Sequence, residues 1–318
     1  RGGRVMSRDE PGRSPAPAAG GVRILKPGPT RRMAAIQKLL GSDRARAERF
    51  LRFARDTGMS LDHVWCAFDE LGAIRSTVLA SMTPGRTAML FLSPPGNREG
   101  VELGAEVIQH AFRGLAGAGT CLAQALVTPE ELLEMQALER AGLRRIAILK
   151  YMEATLGRRE RRPVELPGGC STRAYREEDE SQIGRLLART YVDTLDCPGL
   201  VGMRGESDIL EGHKHSGIFR PDWWTILLEA GKPVGVCLVN ESKTDRTAEL
   251  VYLGIVPEAR GRGLGRMLLA RSLSVIAENT VKKVVLAVDE SNAPALDMYR
   301  GAGFNDTIRR HAFVRKLD

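Results

Sequence analysis

The sequence predicts an α+β fold of two tandem halves, each a mixed central β-sheet flanked by helices. Three observations carry that expectation. A length of 318 residues suits two domains of ordinary size. Short apolar runs joined by hairpin turns alternate with segments of helical periodicity, the pattern of a mixed sheet crossed by helices. The order of strands, glycines and turns in the first half also recurs in the second.

Taken in order, residues 1–20 are mainly Gly, Pro, Ala, Ser and Arg, and a disordered tail is expected there. The chain opens on Arg1 and shows no secretory pattern, so the sequence reads as a fragment or as one with a shifted start. A first domain is expected over 21–156. It holds a strand at Thr87–Leu92 and a turn at Ala141-Gly142-Leu143. The charged run Arg158, Arg159, Glu160, Arg161, Arg162, closed by Pro163, reads as a linker. A second domain is expected over 157–318. Trp224 to Glu229 reads as a strand, 230–233 as a turn, and Val234 to Val239 as the return strand. Ala248 to Val256 is a third strand. Arg266 to Asn279 carries Met267, Leu268, Leu269, Leu273 and Ile276 at helical spacing. Lys283 to Val288 is a further strand, and Ala293 to Arg300 a short helix.

The halves align on one another. When Gly142 is laid on Gly303, the strand Thr87–Leu92 falls without a gap on Ala248–Leu253, Gly100 on Gly261 and Gly104 on Gly265. One small indel then brings Trp65 and Gly72 onto Trp224 and Gly231. The gene product reads as a tandem duplication.

Composition narrows the function. Hydrophobic content of 43% and charged content of 27% are those of a globular chain. No apolar run approaches the roughly 20 residues a membrane span needs. Five Cys without a C-x-x-C pair point to reduced thiols and a cytoplasmic protein. His213 and His215 flank Lys214 with no companion at metal spacing, and read as a solvated loop; no metal is expected. The net charge of +8 raises nucleic-acid binding, but it is spread along the chain and few aromatics accompany it, so basic loops that serve a polyanionic small ligand, or no ligand at all, are the better reading.

That ligand has a candidate cradle. In Leu253-Gly254-Ile255-Val256-Pro257-Glu258-Ala259-Arg260-Gly261-Arg262-Gly263-Leu264-Gly265-Arg266 a strand ends at Pro257, a glycine-rich loop follows and a helix begins. Glycines let backbone N–H groups approach a ligand, and the helix N-terminus adds positive potential, so phosphate is the expected guest. Arg260, Arg262 and Arg266 would charge the rim. A P-loop is excluded because Gly265 is followed by Arg266-Met267, and a dinucleotide fingerprint because its third glycine is replaced by Arg266.

What remains, R-x-x-G-x-G at Arg260, Gly263 and Gly265, resembles the GNAT acetyltransferase superfamily, in which this loop holds the pyrophosphate of acetyl-CoA. Downstream, Asn292, Ala295, Tyr299, Gly303 and Phe304 are similar to that superfamily's second motif. The resemblance covers the second half well and the first in outline. It implies acetyl-CoA as co-substrate, Asn292 on the CoA arm, and Tyr299 as the acid that protonates the departing thiolate. It implies backbone pairing of Leu253 and Ile255 with pantetheine, and Glu249 as the general base. The chemistry asks for such a base, because an alkylammonium must lose a proton before it attacks a thioester.

In the first half Arg260 is matched by Glu99, Gly263 by Glu102, Ile255 by Pro94, Glu249 by Ala88 and Tyr299 by Leu138. That half therefore reads as a degenerate copy, and the arrangement resembles the mycothiol synthases in architecture, with no substrate carried over. The same resemblance implies that Thr190 to His215 lies over the acceptor, where Tyr191, Asp193, Asp196 and Glu211 suit a cationic amine; from its residues alone the stretch reads equally as an ordinary polar loop. The expected activity is acetyl transfer to a primary amine, on a small molecule or a protein N-terminus. The alternative is a non-catalytic acetyl-CoA-binding protein, which would need the loop but neither Glu249 nor Tyr299. The acceptor's identity and the oligomeric state are left open.

Overall fold

The computed structural model describes residues 21–158, 160, 163–242, 247–279 and 281–317. The tail expected over 1–20 lies outside the described residues, as do Arg159, Arg161 and Arg162 of the expected linker.

The first half runs β1 (Arg23–Leu25), α1 (Arg32–Leu39), α2 (Arg44–Thr57), β2 (Val64–Phe68), β3 (Ile74–Thr83), β4 (Thr87–Leu92), α3 (Arg98–Gly117), β5 (Leu122–Val127), α4 (Leu132–Arg140) and β6 (Arg144–Thr155). The second runs β7 (Cys170–Ala174), α5 (Glu180–Thr190), α6 (Glu206–Lys214), β8 (Thr225–Glu229), β9 (Lys232–Glu241), β10 (Thr247–Ile255), α7 (Leu264–Ala277), β11 (Lys283–Asp289), α8 (Ala293–Gly301) and β12 (Asn305–Lys316). Both halves follow the same order, so the repeat in the sequence is a repeat of structure.

Among the described residues the strands form one sheet, in the order β1-β2-β3-β4-β5-β12-β6-β11-β10-β9-β8-β7. Only β4–β5 and β10–β11 are parallel; the other neighbours are antiparallel. The halves exchange their last strands. β6 pairs with β11 of the second half, β12 pairs with β5 of the first, and β6 and β12 pair with each other at the centre. Nothing in strand periodicity distinguishes this from each half keeping its own last strand, because β6 and β12 take the same place in the order of their halves.

β9 is buried on both faces from Val234 to Asn240, as expected for a strand covered by helices on either side. α7 covers one face with Leu264, Leu268, Leu269, Leu273 and Ile276, and α5 covers the other with Ile183, Leu186 and Leu187. Two expectations shift. Trp224 closes a 3-10 turn before β8 instead of opening the strand, because its backbone N–H donates to the Pro221 carbonyl at 3.2 Å. α7 begins at Leu264, earlier than Arg266, because the positive φ of Gly263 already turns the chain into the helix.

Candidate active site

β10 carries the site, and a bulge in it sets the geometry. Its register against β9 slips between Leu250 and Tyr252, so Glu249 pairs with Asn240 and Tyr252 with Leu238. Without the extra residue Val251, Glu249 and Tyr252 would point to opposite faces. With it both face α5 and α6. Tyr252 Oη lies 2.8 Å from Thr190 Oγ1, and Ser216 Oγ donates to the Glu249 carboxylate at 3.4 Å.

β10 and β11 run side by side only from Thr247↔Lys283 to Leu250↔Leu286, then part, although β10 continues to Ile255 and β11 to Asp289. Val256 N–H donates to Val234 of β9, so by strand alternation the N–H and C=O of Leu253 and Ile255 point the other way, into the opening. Gly254 points to α5 instead. A Cβ there would sit 2.7 Å from the Thr190 Cβ, so this glycine serves helix–strand packing.

The glycine loop closes the far end of the opening. Gly261 and Gly263 have φ of 72° and 77°, and a Cβ on either would meet nothing within 4 Å. Gly263 caps α7 without a side chain, so the first-turn amides of Leu264, Gly265 and Arg266 face open space with the helix dipole behind them. Gly265 is close to Met298 Sδ, 3.4 Å from an added Cβ, which lets α7 lie against α8. The cradle therefore fits a phosphate group through its backbone. The arginines act differently from the expected charged rim. Arg260 is directed inward, its guanidinium donating to the carbonyls of Thr190, Val192, Asp193 and Ile255 at 2.7–3.1 Å. It ties the C-terminal end of α5 to the loop. Arg262 forms a two-pronged ion pair with Glu229, and Arg266 lies over Gly301 of α8.

Glu249 keeps solvent contact but is crowded by protein, and this burial pushes its pKa above the usual carboxylate range, opposed by the Ser216 hydrogen bond. Tyr299 is buried, edge-on to Phe304 at 5.7 Å, with Cys237, Asp196 and Tyr252 as its electrostatic neighbours; burial raises its pKa strongly. Asn292 is the N-cap of α8, its Oδ1 accepting from Ala295 N–H at 3.3 Å.

Two cavities flank this line. One of about 770 Å³ lies between the halves, with Glu249, Val285 and Lys283 on one wall and Phe53, Met59 and Met82 of the first half on the other. The second, about 320 Å³, lies under Tyr191, Asp196, Arg204 and His213. His213 is not on a solvated loop. It belongs to α6, stacks on Tyr252 at 5.5 Å and shares a hydrogen bond with Tyr191 Oη at 3.1 Å; burial lowers its pKa to about 3. Asp196 accepts from Asp289 N–H at the tip of β11, Asp193 offers its carbonyl to Arg260, and Glu211 pairs with Lys214. Among the described residues no His, Cys, Asp and Glu group suits a metal.

Sequence reasoning missed the wall from the first half, Ser216, and Tyr151, which β6 brings near Glu249. Strand exchange hides Tyr151, and the cleft exists only once the halves pack.

The matching positions of the first half are differently built. Asn97 caps α3 with its own side chain, accepting from Gly100 N–H at 2.9 Å, and Glu99 occupies the first turn. Glu102 is paired with Arg140. Ala88 and Leu138 are core residues.

Residues 187–304 match the Acetyltransferase (GNAT) family model. The chain is 28% identical over 246 residues to a mycothiol acetyltransferase of Thermomonospora curvata, covering 74% of this chain and 80% of that one. It is 28% identical over 253 residues to one of Clavibacter sepedonicus, covering 75% and 74%. In fold it is similar to a GCN5-related N-acetyltransferase from Sphaerobacter thermophilus, with TM-score 0.61, 18% identity, and 93% and 96% of the two chains covered. It is also similar to a tandem GNAT protein from the clavulanic acid biosynthesis pathway, with TM-score 0.50, 15% identity, and 80% and 82% covered.

Proposed function

We propose that the second half of this chain, whose residues 187–304 match the GNAT family, moves an acetyl group from acetyl-CoA to an amine, and that its chemistry occurs where β10 and β11 part. The carrying observation is one of position. Glu249 sits on the last turn-free stretch before the parting, which opens after Leu250, and the phosphate-fitting loop stands at the other end of the same opening. An acyl carrier held by its phosphates at 261–266 would run past Leu253 and Ile255 and bring its thioester close to Glu249.

Glu249 takes a proton from the ammonium form of the acceptor, directly or through water. The freed amine nitrogen bonds to the thioester carbon, the carbon–sulfur bond breaks, Tyr299 gives its proton to the leaving thiolate, and the second proton shed by the nitrogen as it becomes an amide returns through water to Tyr299. The raised pKa of Glu249 suits a base working near neutral pH. Burial holds Tyr299 as a neutral phenol and opposes its ionisation, so its proton passes to the thiolate only as another replaces it. Gly261, Gly263 and the amides of Leu264–Arg266 serve the pyrophosphate. Arg260, Gly254 and Asn292 serve indirectly, by holding α5, β10 and α8 in place. The first half, with α3 capped by Asn97, takes no acetyl-CoA.

The acceptor is a primary amine, most simply a small molecule in the cleft between the halves, and neither nucleic acid nor a membrane is a partner. Among the described residues no helix is long and apolar enough to cross a membrane. The free cysteines, Cys66 and Cys237 among them buried, fit a cytoplasmic setting. The test is acetyl-CoA turnover, followed as free thiol, against a panel of amines with products identified by mass spectrometry. One acetyl-CoA bound per chain and amine-dependent thiol release are expected. Binding without any amine-dependent release would favour the non-catalytic alternative.

A further inference from the structure

The cleft that holds Glu249 divides by chemistry as well as by origin. Its second-half wall is a row across the sheet: Glu249 on β10, Val285 on β11 and Glu153 on β6 are register partners. The charges in that row are mostly spent. Lys283 Nζ donates to Glu153 at 2.9 Å, and His215 faces Glu211 at 3.6 Å. Glu249 has only the Ser216 hydroxyl, so the wall presents one carboxylate without a cationic partner among the described residues. That is the complement of a single ammonium group.

The first-half wall sets Phe53, Met59, Met82 and Pro84 among the hydroxyl residues Thr57, Ser81 and Thr83, and its large side chains are all apolar. α2 presents Phe53 and Thr57, one turn apart, and ends at Gly58 in the left-handed conformation, which turns Met59 to the same side. β3 adds Met82. Phe53 is 44% exposed and Met82 37% exposed, and of the large apolar side chains left uncovered these two open onto this one cleft. Large apolar side chains left uncovered as a pair inside a cavity mark a surface that a ligand covers. The tip of the β3–β4 hairpin fixes this wall. Arg86 holds Asp208 of α6 with a two-pronged ion pair, and a Cβ on Gly85 would lie 2.2 Å from the Asp208 carbonyl, so the backbones are in direct contact. About 770 Å³ is more than a bare amine needs and lies in the range of small-molecule sites.

We propose that the acceptor is a small-molecule primary amine whose amino group is followed by an apolar segment, and that the first half reads this segment through Phe53, Met59 and Met82. The proposal rests on the reading of Glu249 as the base of acetyl transfer. It assigns the half that lacks a phosphate cradle a share in acceptor choice. It also separates two acceptor chemistries that the reaction itself does not distinguish: an amine on an apolar frame, and an amine on a polyhydroxylated frame.

The experiment compares kcat/KM of the full chain for 2-phenylethylamine, n-hexylamine and glucosamine at saturating acetyl-CoA and fixed pH, with Phe53→Ser and Met82→Ser variants beside the parent. Both positions are partly exposed, so the variants keep the core; a thermal melt checks this. The parent is expected to prefer phenylethylamine and hexylamine over glucosamine by at least about tenfold, since a few buried methylenes give factors of this order. Each variant is expected to lose most of that preference, with acetyl-CoA affinity unchanged. Equal or reversed preference in the parent overturns the proposal while leaving acetyl transfer standing. So does a preference that survives both substitutions. If no amine is acetylated although acetyl-CoA binds, the transfer reading falls and this proposal falls with it.

Discussion

Gly263 stands at φ 77° and ψ −1°, at the N-cap of α7, and a Cβ there would meet no atom within 4 Å. Space is therefore not what keeps this position glycine. Two costs can be separated by comparing Gly263→Ala with Gly263→Glu. Both place an L-residue in the left-handed region, at roughly 1–2 kcal/mol of stability. Only the second adds a carboxylate beside the amides of Leu264–Arg266. A charge about 6 Å from one phosphate charge costs about 3 kcal/mol at an effective dielectric near 20, a factor on the order of 100 in Kd. The loop is open to solvent, so screening trims this, and at least about tenfold is expected. Titration calorimetry with acetyl-CoA at low and high salt reads the difference, and a thermal melt checks that both variants share the same loss of stability. Gly263→Ala should bind nearly as the parent does. Gly263→Glu should bind weakly, and less weakly as salt rises. Equal Kd values for the two variants would remove the loop from phosphate binding.

Four further outcomes follow from the same geometry. The raised pKa of Glu249 should place the acidic limb of the kcat/KM profile above the usual carboxylate range, and Glu249→Gln should move that limb to higher pH with loss of rate; an unmoved profile would put the base elsewhere. The folded-state pKa is the raised one, so the stabilising contribution of Glu249 is present at low pH and lost as pH rises through that value. Glu249→Gln should therefore melt no lower than the parent at pH 7, read by calorimetry. Tyr299→Phe keeps the ring against Phe304, so acetyl-CoA affinity should survive while kcat falls by about tenfold or more; an unchanged kcat in single-turnover kinetics would exclude it as the acid. Arg86→Ala should raise the acceptor KM a few-fold with acetyl-CoA Kd unchanged, and pairing Arg86→Asp with Asp208→Arg should restore it; if Arg86→Ala behaves as the parent, the hairpin does not position α6.

The parts of this site that were legible in the sequence are those built within one stretch of chain. The strand–loop–helix from Leu253 to Arg266 needs only glycine spacing, a proline and helical periodicity, and it folds as such. The fate of the arginines was not legible, because a guanidinium at the rim of a loop can face a ligand or the nearest bare carbonyls. For Arg260 the uncapped end of α5 wins, with acceptors at Thr190, Val192 and Asp193. The bulge at Val251 was also hidden. It changes no residue type, yet it puts Glu249 and Tyr252 on one face. His213 was misread because isolated polar residues between glycines resemble a loop, whereas its ring packs on Tyr252 and lies inside α6. The cleft between the halves depends on contacts such as Arg86–Asp208 that join residues far apart in sequence, and no local pattern announces those.

The exchange of β6 and β12 bears on how this chain can be cut, copied and lost. Severed at the linker, the first segment would keep β6 but lack the neighbour β12 for β5, and the second would lack β6 for β11, so each would expose a sheet edge running through its core. Such segments should aggregate alone and recover a single sheet when refolded together. Heating the intact chain should melt both halves in one cooperative step. For evolution, the consequence is a ratchet. The copy without a phosphate cradle can change at its binding positions, but deleting it would take away both neighbours of β12 and one of β11.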